Sequence, residues 1–351
     1  MHCNQALTGL PCAGPAGYHY FLAKDVKLEK LIQLIQNSKS IILSTHRQCD
    51  GDGLGAELAL YHCLQKLGKK VQIIHVDEVP KKYRFLQTEQ IIQVLDSNHT
   101  EQVKADLCLI LDTNDRRLLG ELYPRLEKNC PHIAFIDHHP ILTNGPAPTT
   151  ESWIYTSAAS TGEMVFDLIQ KLNIPLDTQI ARALYVSITF DTQLYRFIRN
   201  SPRSHQIAAK LLEFPIQATD IHRALFGNQT VKKIAFLAKT LSQIEYFGEG
   251  KIAFLRIQDD DLFKYDLETE DSRDVIDMIM NIEGLEAAVL LREDEKNEYK
   301  ISLRSKGVVP VLSIAESFGG GGHQFSAGVY CKGQYQDIKN DILNKLLDLM
   351  K

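Results

Sequence analysis

The chain has 351 residues, of which 44% are hydrophobic, and this length suffices for two domains with buried cores. Its net charge is −5 and its isoelectric point is about 6.2, which excludes a protein that coats long nucleic acid by electrostatic attraction. A small charged substrate, held by metal ions and a few basic residues, remains compatible with this charge.

Cysteine usage and hydropathy indicate the compartment. The seven cysteines are scattered without a C-x-x-C pair, which argues against a zinc ribbon. A disulfide scaffold is not expected in a chain of this length, so a reducing cytoplasm fits best. No apolar run has transmembrane length, and the first 25 residues lack the features of a signal peptide. We therefore predict a cytoplasmic protein without membrane contact, with residues 1–26 as a poorly ordered extension.

From residue 27 onward, strand-length apolar runs alternate with helical periodicity. The predicted strands are 40–44, 71–76, 107–111 and 133–136, and the predicted helices are 28–35, 53–67, 161–172 and 178–189. Strands that alternate with helices at this spacing are typical of βαβ units and a parallel sheet. We predict an N-terminal parallel-sheet catalytic domain over residues 27–212.

The second half of the chain predicts a smaller domain. Residues 213–246 have a helical, connecting texture and are interpreted as a linker. Strands are predicted at 252–257, 287–292 and 299–304, and a helix at 271–282. These elements predict a C-terminal α/β substrate-binding domain over residues 247–351. The fold class is thus α/β, and the active site is expected in the cleft between the domains.

Four motifs place aspartate or histidine directly after an apolar segment. Because the carboxyl ends of parallel strands meet at one edge of a sheet, we expect these side chains to converge there. Carboxylates with imidazole suit Mn²⁺, Fe²⁺ or Mg²⁺ better than a structural zinc ion. The residues concerned are His46, Asp50, Asp52, Asp112, Asp137, His138, His139 and Asp191.

Each motif alone also has a plain structural interpretation. Asp50 or Asp52 could cap a helix in a solvated loop, and Asp112 could form a turn. Asp191 could mark the C-terminal turn of the preceding helix. The D-H-H run at 137–139 is harder to explain in this way, because three ionisable residues behind a buried strand are costly unless paired or metallated.

A glycine run in the second domain is the other chemical signal. Four glycines, Gly319 to Gly322, are not expected inside a helix or strand, but their backbone N–H groups can approach an anion closely. His323 could add a donor to that anion, and Arg304 could clamp a phosphate. A flexible hinge and a solvated surface arginine are the alternatives.

Together these motifs resemble the DHH phosphoesterase superfamily, over roughly residue 27 to the C-terminus. The similarity is strongest to members with a DHH-associated C-terminal domain, which carries a G-G-G-H loop, here Gly320–His323 followed by Ala327 and Gly328. The chain length is similar to that of bifunctional oligoribonuclease/pAp phosphatases, the nano-RNases. Two departures are Cys49, where the family more often has proline, and Arg116 and Arg117, which precede the position of the family's usual arginine.

The resemblance implies a site for two Mn²⁺ ions, with Mg²⁺ or another divalent ion as alternatives. On this pattern His46 and Asp50 would bind one ion, and Asp52 and His138 would bind the other. Asp112 would bridge both ions, and Asp191 would complete the shell. As substrate-binding residues it implies His139 at the scissile phosphate and, at the far end of the substrate, Arg304, Gly320, Gly321, Gly322 and His323.

The implied function is hydrolysis of oligoribonucleotides of two to five nucleotides to mononucleotides, and conversion of pAp to AMP. Two ions would activate a bridging water, with Asp112 and His139 as catalytic residues. A phosphodiesterase for linear dinucleotides such as pGpG or pApA, a single-strand exonuclease, and a non-catalytic nucleotide sensor are the alternatives. Short RNA, pAp or a dinucleotide is the expected partner, long duplexes are not, and a homodimer is left open.

Overall fold

Two six-stranded sheets, one in each half of the chain, organise the computed structural model, which describes residues 15–96, 103–142, 145–227, 229–258 and 260–351. The first sheet has the order β3-β2-β1-β4-β5-β6, and all its described pairings are parallel. Its strands are β1 (Ser40–Thr45), β2 (Lys70–His75), β3 (Ile92–Val94), β4 (Leu107–Leu111), β5 (His132–Asp137) and β6 (Trp153–Ile154).

Helices cover both faces of this sheet. They are α1 (Pro15–Asn37), α2 (Gly51–Lys66), α3 (Leu122–Asn129), α4 (Thr161–Lys171), α5 (Thr178–Asp191) and α6 (Arg203–Leu211), with 3₁₀ turns at Lys81–Leu86 and Arg116–Leu119. Side chains of β1 alternate between two apolar cores: Ile41 and Leu43 join one, and Ile42 joins the other. This two-sided burial explains why the strands are continuous apolar runs.

The predicted extension over residues 1–26 is described only in part, and its poor order stays a prediction. Residues 1–14 lie outside the described residues, but helix α1 begins at Pro15. Proline is favoured at the first position of a helix, where its missing N–H costs nothing. The leucine, alanine and lysine that follow are good helix formers, so the helix continues without a break into the predicted segment 28–35.

The predicted linker contains helices α7 (Ala218–His222) and α8 (Val231–Leu241), joined in part by a π turn at Arg223–Gly227. Leu225 packs in the core of the first domain, whereas Phe236 and Leu237 pack against the second sheet. The change from one core to the other therefore falls between Leu225 and Phe236. The predicted domain boundaries themselves stay a prediction.

The second sheet is mixed, with the order β11-β12-β10-β9-β8-β7. Its strands are β7 (Glu245–Phe247), β8 (Ile252–Ile257), β9 (Ala287–Glu295), β10 (Glu298–Ser305), β11 (Gly321–His323) and β12 (Ser326–Lys332). Only β8 and β9 run parallel among the described pairings. The helices are α9 (Asp261–Lys264), α10 (Arg273–Ile279), α11 (Val311–Ser317) and α12 (Tyr335–Leu349), with a 3₁₀ turn at Thr269–Ser272.

The expectation that the glycine run stays outside any strand is wrong. Gly321–His323 forms the edge strand β11, antiparallel to β12. The glycines are required by close packing: a Cβ on Gly320 would meet the backbone of Gly328, and one on Gly322 would meet Ser326 and Ala327. Pairing with β12 outweighs the conformational entropy that glycine loses in a strand.

Among the described residues, no helix combines the length and the apolar character that crossing a membrane requires.

Candidate active site

The predicted ligands converge at the carboxyl ends of three neighbouring parallel strands. His46 follows β1, Asp112 follows β4, and His138 follows β5. Within the sheet, β2 is the neighbour of β1 on one side and β4 is its neighbour on the other, so the direction of strand order reverses at β1. A crevice opens at such a reversal of strand order, and ligands bind there in α/β proteins.

The first cluster joins His46, Asp50 and Asp112. His46 Nε2 lies 3.6 Å from Asp112 Oδ2 and 4.0 Å from Asp50 Oδ2. Asp50 also caps helix α2, because its side chain accepts a hydrogen bond from the backbone N–H of Asp52. Asp112 has a φ of 61°, and a non-glycine residue in this region stores strain of the kind found at functional sites.

The second cluster joins Asp52, His138 and Asp191. His138 Nε2 lies 3.4 Å from Asp191 Oδ2, 3.6 Å from Asp52 Oδ2 and 3.7 Å from Asp112 Oδ1. Asp112 thus points one carboxylate oxygen toward each cluster. Ligand atoms that share a divalent ion lie roughly 3 to 4 Å apart, so the spacing suits one ion in each cluster.

The chemistry of the donors fits a metal. His138 Nδ1 lies 3.3 Å from the carbonyl oxygen of Ala158 and can donate to it, which leaves a lone pair on Nε2. His138 Nε2 is buried and has no hydrogen-bond partner among the described residues. Burial and the neighbouring His139 lower the pKa of His138 to about 3, so its imidazole is neutral. A neutral, oriented and unpartnered imidazole is the form that binds divalent metals.

The carboxyl groups support the same conclusion. Burial and the charge of Asp112 raise the pKa of Asp52 well above its usual range. Burial and Asp50 do the same to the pKa of Asp112, and burial raises the pKa of Asp191 to about 7. Carboxyl groups crowded in this way are held as carboxylates by a divalent cation, which is often the largest charge in such a site.

Backbone and hydroxyl donors fix Asp52 in place. At the start of helix α4, the N–H groups of Thr161 and Gly162 donate to Asp52 at 2.8 and 3.2 Å. Ser187, on helix α5, donates to the same carboxylate through its hydroxyl. Thr161 Oγ1 also donates to Asp112 Oδ1 at 3.0 Å. Two helices, α4 and α5, therefore orient the two central carboxylates from positions distant in sequence.

Glycines allow this close packing of helices. Gly51 and Gly53 lie within α2 and do not adopt positive φ. A Cβ on Gly53 would clash with Thr45, and one on Gly51 would lie 2.6 Å from the ring of Phe190. A Cβ on Gly162 would clash with the Ser187 hydroxyl. Space, and not backbone conformation, is what requires glycine at these positions.

Asp137, the first residue of the D-H-H run, orients the third. Its Oδ1 lies 2.8 Å from His139 Nδ1, and its Oδ2 accepts from Asn114 Nδ2 at 2.7 Å. Burial alone would lower the pKa of His139, but the carboxylate of Asp137 raises it to about 10. His139 is therefore a cation beside the metal cluster, suited to a phosphate oxygen.

His323 lies closer to the metal cluster than the sequence analysis expects. Its ring stacks on His139, with centroids 4.3 Å apart and an angle of 9° between the rings. The ring centroid of His138 is 5.0 Å away. The second domain therefore reaches the D-H-H run itself, and the role of His323 in substrate binding stays a prediction.

The other predicted residues are distributed around this centre. Arg304 is half-buried at the end of β10, with Nε 4.0 Å from Asp277. Arg117 pairs with Asp115 at 2.7 Å, and Arg116 lies over the ring of Tyr123, so neither is drawn into the metal cluster. Cys49, the departure from the family pattern, is buried in the apolar core.

Two arginines that the sequence analysis did not select also reach the site. Arg273 Nη1 donates to Asp50 Oδ2 at 2.8 Å, and Arg199 Nη2 lies 3.2 Å from His323 Nδ1. Both contacts join residues more than a hundred positions apart, so no local sequence pattern predicts them. By contrast, Ser160 before Glu163 is a recognisable helix start, and it could have drawn attention to the donors of Thr161 and Gly162.

Comparison with known proteins identifies two domain families in this chain. Residues 40–188 match the model of the DHH family, N-terminal domain, and residues 249–351 match the DHHA1 domain. A bifunctional oligoribonuclease and PAP phosphatase NrnA from Thermus thermophilus is 30% identical over 84% of this chain and 84% of its own. A protein of the same name from Bacillus subtilis is 26% identical over 85% of this chain and 91% of its own.

A solved structure shows the same fold. An exopolyphosphatase-related protein from Bacteroides fragilis is similar, with a TM-score of 0.81 at 22% identity, over 93% of this chain and 98% of that one. The matched segments contain most of the predicted ligands and the whole glycine run; Asp191 lies just beyond the first segment. The chain belongs to the DHH family, with an N-terminal DHH domain and a C-terminal DHHA1 domain, and it is a metal-dependent hydrolase of phosphoester bonds.

Proposed function

We propose that this enzyme hydrolyses oligoribonucleotides of two to five nucleotides to mononucleotides, and removes the 3′-phosphate of pAp to give AMP. The two NrnA relatives carry both activities in their names. The observation that carries the length limit is the approach of the second domain, which stacks His323 on His139 beside the metal cluster. A cleft closed at this point favours short substrates over a continuous strand.

The metal ions in this proposal are two Mn²⁺. His46 and Asp50 would hold one, Asp52, His138 and Asp191 would hold the other, and Asp112 would serve both. The distances of 3.4 to 4.0 Å from the two imidazoles to these carboxylates support the assignment. When bound, such ions lower the pKa of water and neutralise charge on the phosphate.

The chain's own residues would position the substrate and move the proton. His139, kept cationic by Asp137 at 2.8 Å, would donate to a phosphate oxygen or to the leaving oxygen. Asn114 would hold Asp137 in place through its hydrogen bond to Oδ2. Asp137 and Asn114 are buried, whereas about a third of the His139 side chain is exposed, so its charge can reach a substrate phosphate.

The remaining parts of the proposal concern context. The net charge of −5 supports the exclusion of long duplexes, because binding to them depends on phosphate neutralisation. The cysteine usage supports a cytoplasmic location.

A substrate panel tests the proposal. We would measure kcat/KM with Mn²⁺ for pAp, RNAs of two to five nucleotides, the dinucleotide pGpG and a single-stranded 20-mer. We expect the highest values for the short RNAs, a steep fall beyond five nucleotides, and hydrolysis of pAp. A 20-mer cleaved as efficiently as a dimer would contradict the proposal and favour an exonuclease. Hydrolysis of pGpG alone would favour a dinucleotide phosphodiesterase.

A further inference from the structure

Arg273 brings a cation from the second domain directly to the candidate metal centre. Its guanidinium donates to Asp50 at 2.8 Å, and about a third of its side chain is exposed. Arg292, which is buried, donates to Thr269 O at 2.9 Å and lies 3.0 Å from Ser272 Oγ, so it holds the turn before Arg273. Arg273 is therefore a positioned group, on a fixed turn, at the edge of the metal cluster.

Arg199 approaches the same centre from the first domain. Its Nη2 lies 3.2 and 3.3 Å from the two ring nitrogens of His323, which itself stacks on His139. Arg199 has a φ of 53°, a strained conformation for a non-glycine residue. Among the described residues, no carboxylate lies within ion-pair distance, 4.0 Å, of Arg199. The described partner of this guanidinium is therefore the imidazole of His323, whereas an arginine at such a site usually pairs with a carboxylate or a phosphate.

These two arginines provide more positive charge at the site than binding of a single phosphate requires. The scissile phosphate is already provided with the metal clusters and His139. A guanidinium is the group that binds phosphate bidentately, and one comes from each domain, Arg273 at Asp50 and Arg199 at His323. Arg304, the predicted phosphate clamp, lies on the same domain as Arg273. Burial lowers the pKa of Arg304, and the charge of Arg273 lowers it further.

We propose that Arg273 and Arg199 bind a second, non-scissile phosphate, so that the preferred substrates carry at least two phosphate groups. This inference rests on the proposed function and deepens it, since it names the substrate class: nucleotides with a phosphate beside the one attacked. Substrate would draw Arg273 away from Asp50 and Arg199 away from His323. Both residues act in substrate binding, so replacing either one should mainly raise KM.

The test compares pAp with 3′-AMP, which lacks the 5′-phosphate, on Arg273→Gln and Arg199→Gln. We expect the wild-type enzyme to prefer pAp by about tenfold or more in kcat/KM, the equivalent of one charge-assisted hydrogen bond. Either variant should lose most of this preference through a higher KM for pAp, with little change on 3′-AMP. Arg273→Lys, which keeps the charge without the planar fork, should retain part of it.

Arg196→Gln is the matched control, since Arg196 also joins the two domains, through a 2.9 Å contact with Asn281, but has no described contact with the metal ligands. It should keep the wild-type preference. Calorimetric titration of Mn²⁺ without substrate gives a second readout. Arg273→Gln should bind Mn²⁺ as tightly as wild type or more tightly, because a competing cation has left Asp50. Weaker Mn²⁺ binding, or equal losses on pAp and 3′-AMP, would overturn the inference.

Failure of the proposed function gives a different pattern. If the wild-type enzyme hydrolyses bis-p-nitrophenyl phosphate but neither nucleotide, the proposed function is wrong. The inference is then judged by pAp as an inhibitor of bis-p-nitrophenyl phosphate hydrolysis. Inhibition of wild type at least about tenfold stronger than of Arg273→Gln supports the second phosphate site. Equal inhibition of the two proteins refutes it.

Discussion

The hydroxyl of Ser187 offers the sharpest test of how the protein builds its metal centre. Ser187 donates to Asp52, a ligand of the second cluster, from a position 135 residues away. Replacing it by alanine removes one hydrogen bond and leaves the metal ligands themselves unchanged. Asp52 keeps the N–H groups of Thr161 and Gly162, so its side chain should stay in the site but be less firmly oriented.

Two independent estimates give the size of the effect. A hydrogen bond to a charged group contributes about 1.5 to 3 kcal/mol. Loss of a group that orients a metal ligand weakens metal binding by roughly 10- to 100-fold, which is about 1.4 to 2.7 kcal/mol at about 1.36 kcal/mol per decade. The estimates agree, so Ser187→Ala should weaken Mn²⁺ binding by about tenfold or more, at one of the two proposed sites.

Calorimetric titration of EDTA-treated protein with Mn²⁺ measures this affinity. Ser160→Ala is the matched control, because Ser160 is also a buried serine of this region, but it accepts from Glu163 N and has no described contact with Asp52. Loss of this helix cap should cost about 1 kcal/mol of stability and leave Mn²⁺ affinity unchanged. Wild-type affinity in Ser187→Ala, or equal weakening in Ser160→Ala, would refute the reasoning.

Three further predictions concern His139 and the second domain. Asp137→Asn removes the charge that raises the pKa of His139 to about 10, so protonated His139 should disappear at lower pH. The alkaline limb of kcat/KM for pAp should then shift to lower pH, and a superimposable limb would contradict a protonated His139. Because His323 stacks on His139, His323→Ala should slow the hydrolysis of bis-p-nitrophenyl phosphate as well as that of pAp. Arg304→Ala should raise KM about tenfold for pAp only, and a similar loss on both substrates would show that Arg304 supports the metal centre.

The convergence of the candidate metal ligands could be predicted from sequence, because each candidate stands at the end of an element that hydrophobic patterning defines. Leu107–Leu111 is apolar at every position, so Asp112 is conspicuous after it. The parallel topology then brings the ends of β1, β4 and β5 together without further information. The same rule predicts convergence, but it does not assign Asp137 the task of orienting His139, which depends on a side-chain contact.

The remainder depends on contacts between distant segments. Arg273 and Asp50 are 223 residues apart, and their pairing is set by how the two domains pack. Strand β11 was missed because pairing with β12 overrides the low strand preference of glycine. Helix α12 was also missed, although Ile338, Ile342 and Leu346 repeat every four residues and carry the signal of a buried face.

The most direct test of the account is the number of Mn²⁺ ions bound by the wild-type chain and by two variants. Asp112 contacts both clusters, whereas Asp50 belongs to the first alone. Calorimetry or metal analysis of EDTA-treated, reloaded protein should therefore give two ions for wild type, one for Asp50→Ala and none bound tightly for Asp112→Ala. Activity of Asp112→Ala should fall by about three decades in kcat. A wild-type chain that binds a single ion, or an Asp112→Ala variant that retains both, would contradict the two-cluster centre.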